Sequence, residues 1–190
     1  MSNTALILLD IQTGIVGMVS SIINEAEYLA KASSTLAAAR EAGIPVVQVT
    51  TSFRPNYEDA SPRNQMTARV KASGQFKDTD ASVQLHPTIA EAAANDIHVK
   101  KRRVSAFYGT DLEIVLKSLG IEKLVTAGLA TSGAVLSTVR LAFDMDYNIT
   151  VLADLCADSD ATVHETLLGK VLSKQASVTT AEEWVASIRK

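Results

Sequence analysis

A single cysteine in 190 residues rules out an intramolecular disulfide framework and points to a reducing compartment. Basic and acidic residues nearly balance, 18 against 21, so the chain has no excess positive charge to hold a nucleic acid or an anionic membrane. The one dense basic run, Lys100–Arg103 (KKRR), is too short for a nucleic-acid face and reads as a solvated strand end. No apolar run approaches membrane-spanning length, and no basic leader precedes the first apolar segment, so the expected location is the cytoplasm. The three histidines, His86, His98 and His164, stand far apart and match no zinc or iron spacing, so no metal is expected. Neither a Walker loop nor G-x-G-x-x-G occurs, and no cofactor is expected.

What is present is an alternation of apolar strands and helix-like segments. Thr4–Leu9 (TALILL) is a continuous apolar run, the pattern of a strand buried on both faces. Asn24 with Glu27 predicts a helix start, and Gly43 followed by Pro45 its end. Strands are predicted at Pro45–Thr50, Ile97–Lys100, Lys123–Ala127, Ile149–Ala153 and Ala176–Val178. Helices are predicted at Pro87–Ala94, after the Thr110–Glu113 capping signature, and over Ser132–Asp144 and Thr162–Ser173. A last one, carrying Trp184, follows Thr180–Glu183. Residues 51–85 lack clear periodicity beyond a turn or two near Met66–Ala72, and a loop of that length is usually functional. The alternation implies one doubly wound α/β domain over residues 1–190, with six mostly parallel strands and helices on both faces.

Ligands of such sheets collect at the carboxyl ends of the strands. Asp10 closes the first strand. On its own it reads as a turn or capping residue, or as an acid or base whose pKa burial has shifted. Lys101 lies in Lys101-x-x-x-Ser105-x-Phe107-x-Gly109-Thr110, and Gly128-x-x-Thr131-x-x-Ala134 ends the fourth strand. With Asp10-x-Gln12, these strings resemble the isochorismatase-like hydrolases, also called cysteine hydrolases, along almost the whole chain. The family carries a catalytic cysteine where Ala134 stands.

The resemblance implies a small-molecule substrate, with Asp10 as general acid or base and Lys101 as its charge-stabilising partner. It also implies a cis peptide at Leu129–Ala130, with the amides of Ala130 and Ala134 forming an anion hole. Family members associate as dimers or tetramers, so a homo-oligomer is expected. Gln12, Arg54, Phe107, Ala130 and Thr131 are the expected substrate contacts. The metal-ligand cluster of the nicotinamidase branch has no counterpart in Thr50–Tyr57, which contains no histidine.

An alanine methyl cannot form the thioester through which amide hydrolysis in this family proceeds. Three readings of Ala134 stay open: hydrolysis of an amide, ureido or vinyl-ether carboxylate that works through Asp10 without a thiol; an inactive carboxylate-binding module; and a cysteine-to-alanine trapping variant. Cys156, expected just after strand five between Asp154 and Asp158, reads as a buried inert thiol. No histidine is placed by sequence to activate Thr131 or Ser132.

Overall fold

A computed structural model describes residues 3–189; positions 1–2 and 190 of the expected domain lie outside the described residues. Six strands, β1 (Thr4–Leu9), β2 (Val46–Thr51), β3 (Ile97–Lys101), β4 (Lys123–Leu129), β5 (Asn148–Ala157) and β6 (Ser177–Thr179), form one sheet. Their order is β3-β2-β1-β4-β5-β6, and every neighbouring pair is parallel. The chain reverses direction of winding at β1, so the switch point falls between β1 and β4.

The two faces of β1 explain its unbroken apolar run. Ala5, Ile7 and Leu9 pack into one core with Leu112, Leu116, Val135 and Val139. Leu6 and Leu8 pack into the other with Val16, Leu29, Leu36 and Trp184. Helices α1 (Thr13–Val19), α2 (Glu25–Glu41) and α8 (Ala181–Ile188) therefore cover one face. Helices α5 (Leu112–Ser118) and α6 (Leu136–Asp144), with residues 167–172, cover the other. The helices α3 (Gln65–Ser73), α4 (Pro87–Ala90) and α7 (Ala161–Thr166) lie in the connections between strands.

Most local signals hold, and the departures have physical reasons. Asn24 caps α2 through the Glu27 amide, and Thr180 with Glu183 forms a complete capping box on α8. The Thr110–Glu113 signature forms no such box: the Thr110 hydroxyl donates to the Ala106 carbonyl at 2.6 Å, and Asp111 caps without a side-chain bond. α1 was not visible as a helix because Gly14 and Gly17 interrupt its periodicity. α4 stops at Ala90, short of the expected Ala94. The expected helix over Thr162–Ser173 is α7 followed by a wider turn at 167–171 and a tight turn at 172–174. β5 runs on to Ala157, so Cys156 lies inside the strand. An irregularity opposite Thr126 and Gly128 lets β5 pass the polar Asp154 and pair again as Gly128 with Cys156.

Residues 53–80 hold a small core of their own. Phe53, Tyr57 and Ala60 are buried together, with Val70 and Phe76 packed against them. Asp59 ties this unit to β3: its carboxylate pairs with Arg102, and its carbonyl accepts from Arg103 at 2.9 Å. The basic run is thus an anchor for the loop and not a free solvated end.

Candidate active site

Three adjacent strands deliver three side chains to one point. Asp10 leaves β1 with φ of 56°, a left-handed conformation that Asp tolerates better than most residues, and its amide donates to the Val49 carbonyl at 2.8 Å. Thr51 and Lys101 are register partners at the ends of β2 and β3. The Lys101 ammonium lies 2.7 Å from one Asp10 oxygen, and the Thr51 hydroxyl donates to the other at 2.9 Å. Lys101 also donates to the Thr51 oxygen at 2.5 Å, closing a triangle of hydrogen bonds.

Strand parity decides which lysine takes part. Val99 and Lys101 are buried, whereas His98 and Lys100 are exposed. Asp10 and Lys101 are 4% and 3% exposed, so the charges face each other with little water between them. Burial raises the Asp10 carboxyl above its usual range, and the Lys101 charge opposes that only in part. A carboxyl so placed can hold or return a proton.

Gln12 is fully buried and bridges two segments. Its amide nitrogen donates to the carbonyls of Thr51, at 2.9 Å, and Val83; its oxygen accepts from the Thr51 amide at 2.8 Å. Both ends of the side chain are thus engaged with backbone, and the effect is to fix Thr51. No sequence signal marks Thr51, because nothing but the strand register separates it from Thr50.

The β4 turn sits beside this triangle. Gly128 pairs with Leu9 and has φ of 134°; a Cβ there would overlap the Leu9 carbonyl oxygen, so only glycine lets β4 approach β1 this closely. The Leu129–Ala130 peptide is cis. The chain then makes a wide turn over Thr131–Val135, in which the Val135 amide reaches back to the Ala130 carbonyl at 3.3 Å, before α6 begins. Ala134 is buried in this turn.

A histidine does reach the turn, contrary to the expectation from sequence. His164, on α7, lies with Nδ1 2.8 Å from the Thr131 hydroxyl, because β5 places α7 directly over the end of β4. Thr131 has no exposed surface, so this bond holds the turn in place. Asp158 accepts from the Ser132 amide at 2.7 Å. Burial alone would raise the Asp158 carboxyl, but hydrogen bonds from Ser132 and from the backbone of Asp160 and Ser159 together outweigh it and hold the carboxyl below its usual range.

The remaining expected residues are engaged elsewhere. Phe107 stacks on Tyr147, with ring centroids 6.0 Å apart, toward the amino end of β5. Arg54 extends into solvent with its guanidinium 3.9 Å from Asp59. Cys156 is two strands from Asp10, about 10 Å across the sheet. Burial pushes its thiol up to about 12. Among the described residues no group of three or more His, Cys, Asp or Glu could hold a metal ion, and no helix is long and apolar enough to cross a membrane.

This arrangement, a buried acid–cation pair beside a cis-peptide turn at the switch point, agrees with the sequence comparisons. The family model for the isochorismatase domain matches residues 4–183. The chain belongs to the isochorismatase family. Among its relatives is the uncharacterized isochorismatase family protein YecD of Escherichia coli O157:H7, 31% identical over 181 residues, covering 95% of this chain and 94% of that protein. The ureidoacrylate amidohydrolase RutB of Rhizobium rhizogenes is 30% identical over 208 residues, covering 98% and 81%. A cysteine hydrolase structure from Pseudomonas syringae pv. phaseolicola superposes with a TM-score of 0.88 over 100% of this chain and 94% of that one. At 22% identity it supports the fold alone. The protein is an isochorismatase-family hydrolase built as a single six-stranded parallel α/β sheet with helices on both faces.

Proposed function

We propose that this isochorismatase-family hydrolase uses Asp10 as general acid and base, Lys101 as charge stabiliser and water as nucleophile. Its substrate class is a small vinyl-ether carboxylate. The observation that carries the reading is the buried Asp10–Lys101–Thr51 triangle next to a turn whose nucleophile position is a methyl. The amide and ureido compounds that related enzymes act on require a nucleophile that Ala134 does not supply. A vinyl ether needs only a proton and a water.

In this scheme the Asp10 carboxylic acid gives its proton to the alkene carbon, and the cation that forms takes up water. The water returns a proton to the Asp10 carboxylate, and the hemiketal divides into a carbonyl compound and an alcohol. Lys101 stabilises the carboxylate while it is ionised, and the amides of Ala130 and Ala134 hold the substrate carboxylate. Gln12 and Thr51 fix the acid; Thr131 fixes the turn.

The test is conversion of a vinyl-ether-containing metabolite set, followed by mass spectrometry, in the unmodified chain and in Asp10→Asn. Conversion lost in Asp10→Asn with ligand affinity retained supports the reading. Binding without conversion in either protein assigns the site to a carboxylate-binding module instead. Strong amide hydrolysis abolished by Cys156→Ser overturns the scheme and makes Cys156 the nucleophile.

A further inference from the structure

A second polar cleft lies on the other face of the β2–β3 edge. Thr51 and Lys101 face the Asp10 triangle, and their chain neighbours Thr50, Ser52 and Lys100 line a cavity of about 250 Å³ together with His98, Asp78 and Gln84. Thr50 and Lys100 are register partners, so their side chains rise from backbones one strand spacing apart, about 4.8 Å.

The walls of this cleft are fixed by backbone bonds. The Asp78 amide donates to the Phe53 carbonyl at 2.8 Å, which fixes it beside Ser52. The segment carrying Gln84 is held from both sides: the Thr13 amide donates to the Gln84 carbonyl at 3.0 Å, and the His86 amide to the Ile11 carbonyl at 2.9 Å. These bonds fix the backbone from which the cleft's side chains rise.

Its polar groups are left over from folding. The Ser52 hydroxyl is buried with no hydrogen-bond partner, a condition that is rare and normally relieved by a water or a ligand. Among the described residues the Lys100 ammonium and the Asp78 carboxylate form no ion pair, with each other or with any third group. The cleft thus offers one cation, one anion and hydroxyl groups to whatever enters. A simple anion would meet Asp78, and a simple cation would meet Lys100. A molecule carrying both charges satisfies both.

We infer that this cleft binds a small zwitterion, a free α-amino acid, with its carboxylate on Lys100 and the hydroxyls of Thr50 and Ser52, and its ammonium on Asp78. At roughly 30 Å³ per water-sized group, the volume holds about eight heavy atoms, the size of a short-chain amino acid. The inference is independent of the Asp10 chemistry, because the two sites use opposite faces of the same strands.

Two-dimensional amide NMR of the full chain, titrated with L-alanine and L-serine, tests it. The expected result is saturable shifts confined to residues 50–52, 78, 83–85 and 98–100, with Kd in the millimolar range or tighter. Lys100→Met and Asp78→Asn should each weaken binding by about tenfold, since each removes one charged hydrogen-bond partner. Acetate and methylammonium, carrying one charge each, should bind far more weakly than L-alanine. No saturable shift with either amino acid, equal binding of acetate, wild-type affinity in both variants, or shifts centred on Asp10 would each overturn the assignment. All these readouts are binding signals, so absence of turnover at Asp10 leaves them intact.

Discussion

Lys101 Nζ lies 2.7 Å from Asp10 Oδ2, with both side chains about 95% or more removed from solvent. Two charges taken this far from water are tolerable only together: burying a lone ion costs several kcal/mol, while a well-bonded pair roughly breaks even. Thr51 completes the balance by donating to the remaining carboxylate oxygen. The triangle is therefore held by the sheet, at some expense in stability.

Lys101→Met should destabilise the fold by about 3–5 kcal/mol near neutral pH, measured by urea unfolding. The loss should shrink in acid. Removing Lys101 removes the main influence that lowers the Asp10 pKa, so the folded carboxyl, already raised, moves further above the usual carboxylate range. A raised folded pKa gives stability that is present below the unfolded value and lost as pH rises through the folded one. Because Asp10 is already raised in the parent, the two folded proteins bind protons alike in acid, and the deficit must grow only as pH rises past the parent's own folded Asp10 pKa toward the higher one of the variant. A deficit independent of pH would mean that Asp10 does not titrate in the folded protein.

The folded chain should resist iodoacetamide at neutral pH. With the Cys156 thiol pushed to about 12, only about one molecule in 10⁵ is thiolate at pH 7, and the side chain is buried besides. Ala134→Cys should introduce one rapidly labelled site, read by intact mass and located by peptide mapping. Fast labelling of Cys156 in the unmodified chain would contradict its burial.

Gly128→Ala should cost at least about 3 kcal/mol or prevent folding, because it combines a positive φ with a Cβ placed on the Leu9 carbonyl. Gly17→Ala is the matched control. Gly17 lies in α1 with nothing within 4 Å of an added Cβ, so alanine there should be neutral or stabilise by about 0.5–1 kcal/mol. Thermal unfolding of the two variants separates the effects. Equal behaviour would show that β4 and β1 can move apart without harm.

The strand and helix order was legible because strands buried on both faces read as unbroken apolar runs, as in Thr4–Leu9, and because capping residues such as Asn24 and Thr180 act locally. Asp10 and Lys101 were legible through their motif spacing. Lys101 is also distinguished from Lys100 by strand parity, which needs the exact end of β3. What escaped were relations made by register and packing: Thr51 against Asp10, His164 against Thr131, and Asp59 under the basic run. These pairs are 41, 33 and 43 residues apart in sequence, and no local pattern announces them. Arg54 and Phe107, expected to contact substrate, instead make contacts away from the triangle, with Asp59 and Tyr147, which no local pattern announces either.

If Asp10 donates a proton in the slow step, kcat/KM must fall as pH rises through its folded pKa. That value lies above 3.8, because burial outweighs the opposing Lys101 charge. Asp10→Asn keeps the shape but can accept from only one of Lys101 and Thr51, and it carries no transferable proton. It should lower kcat by about 10²–10⁴ with KM nearly unchanged, and the alkaline limb of the profile should vanish with it. A profile that instead rises from acid to a flat alkaline plateau would identify the ionised carboxylate as the working form. Asp10 would then be a base that activates water, and the vinyl-ether assignment would fall while the location of the site stood.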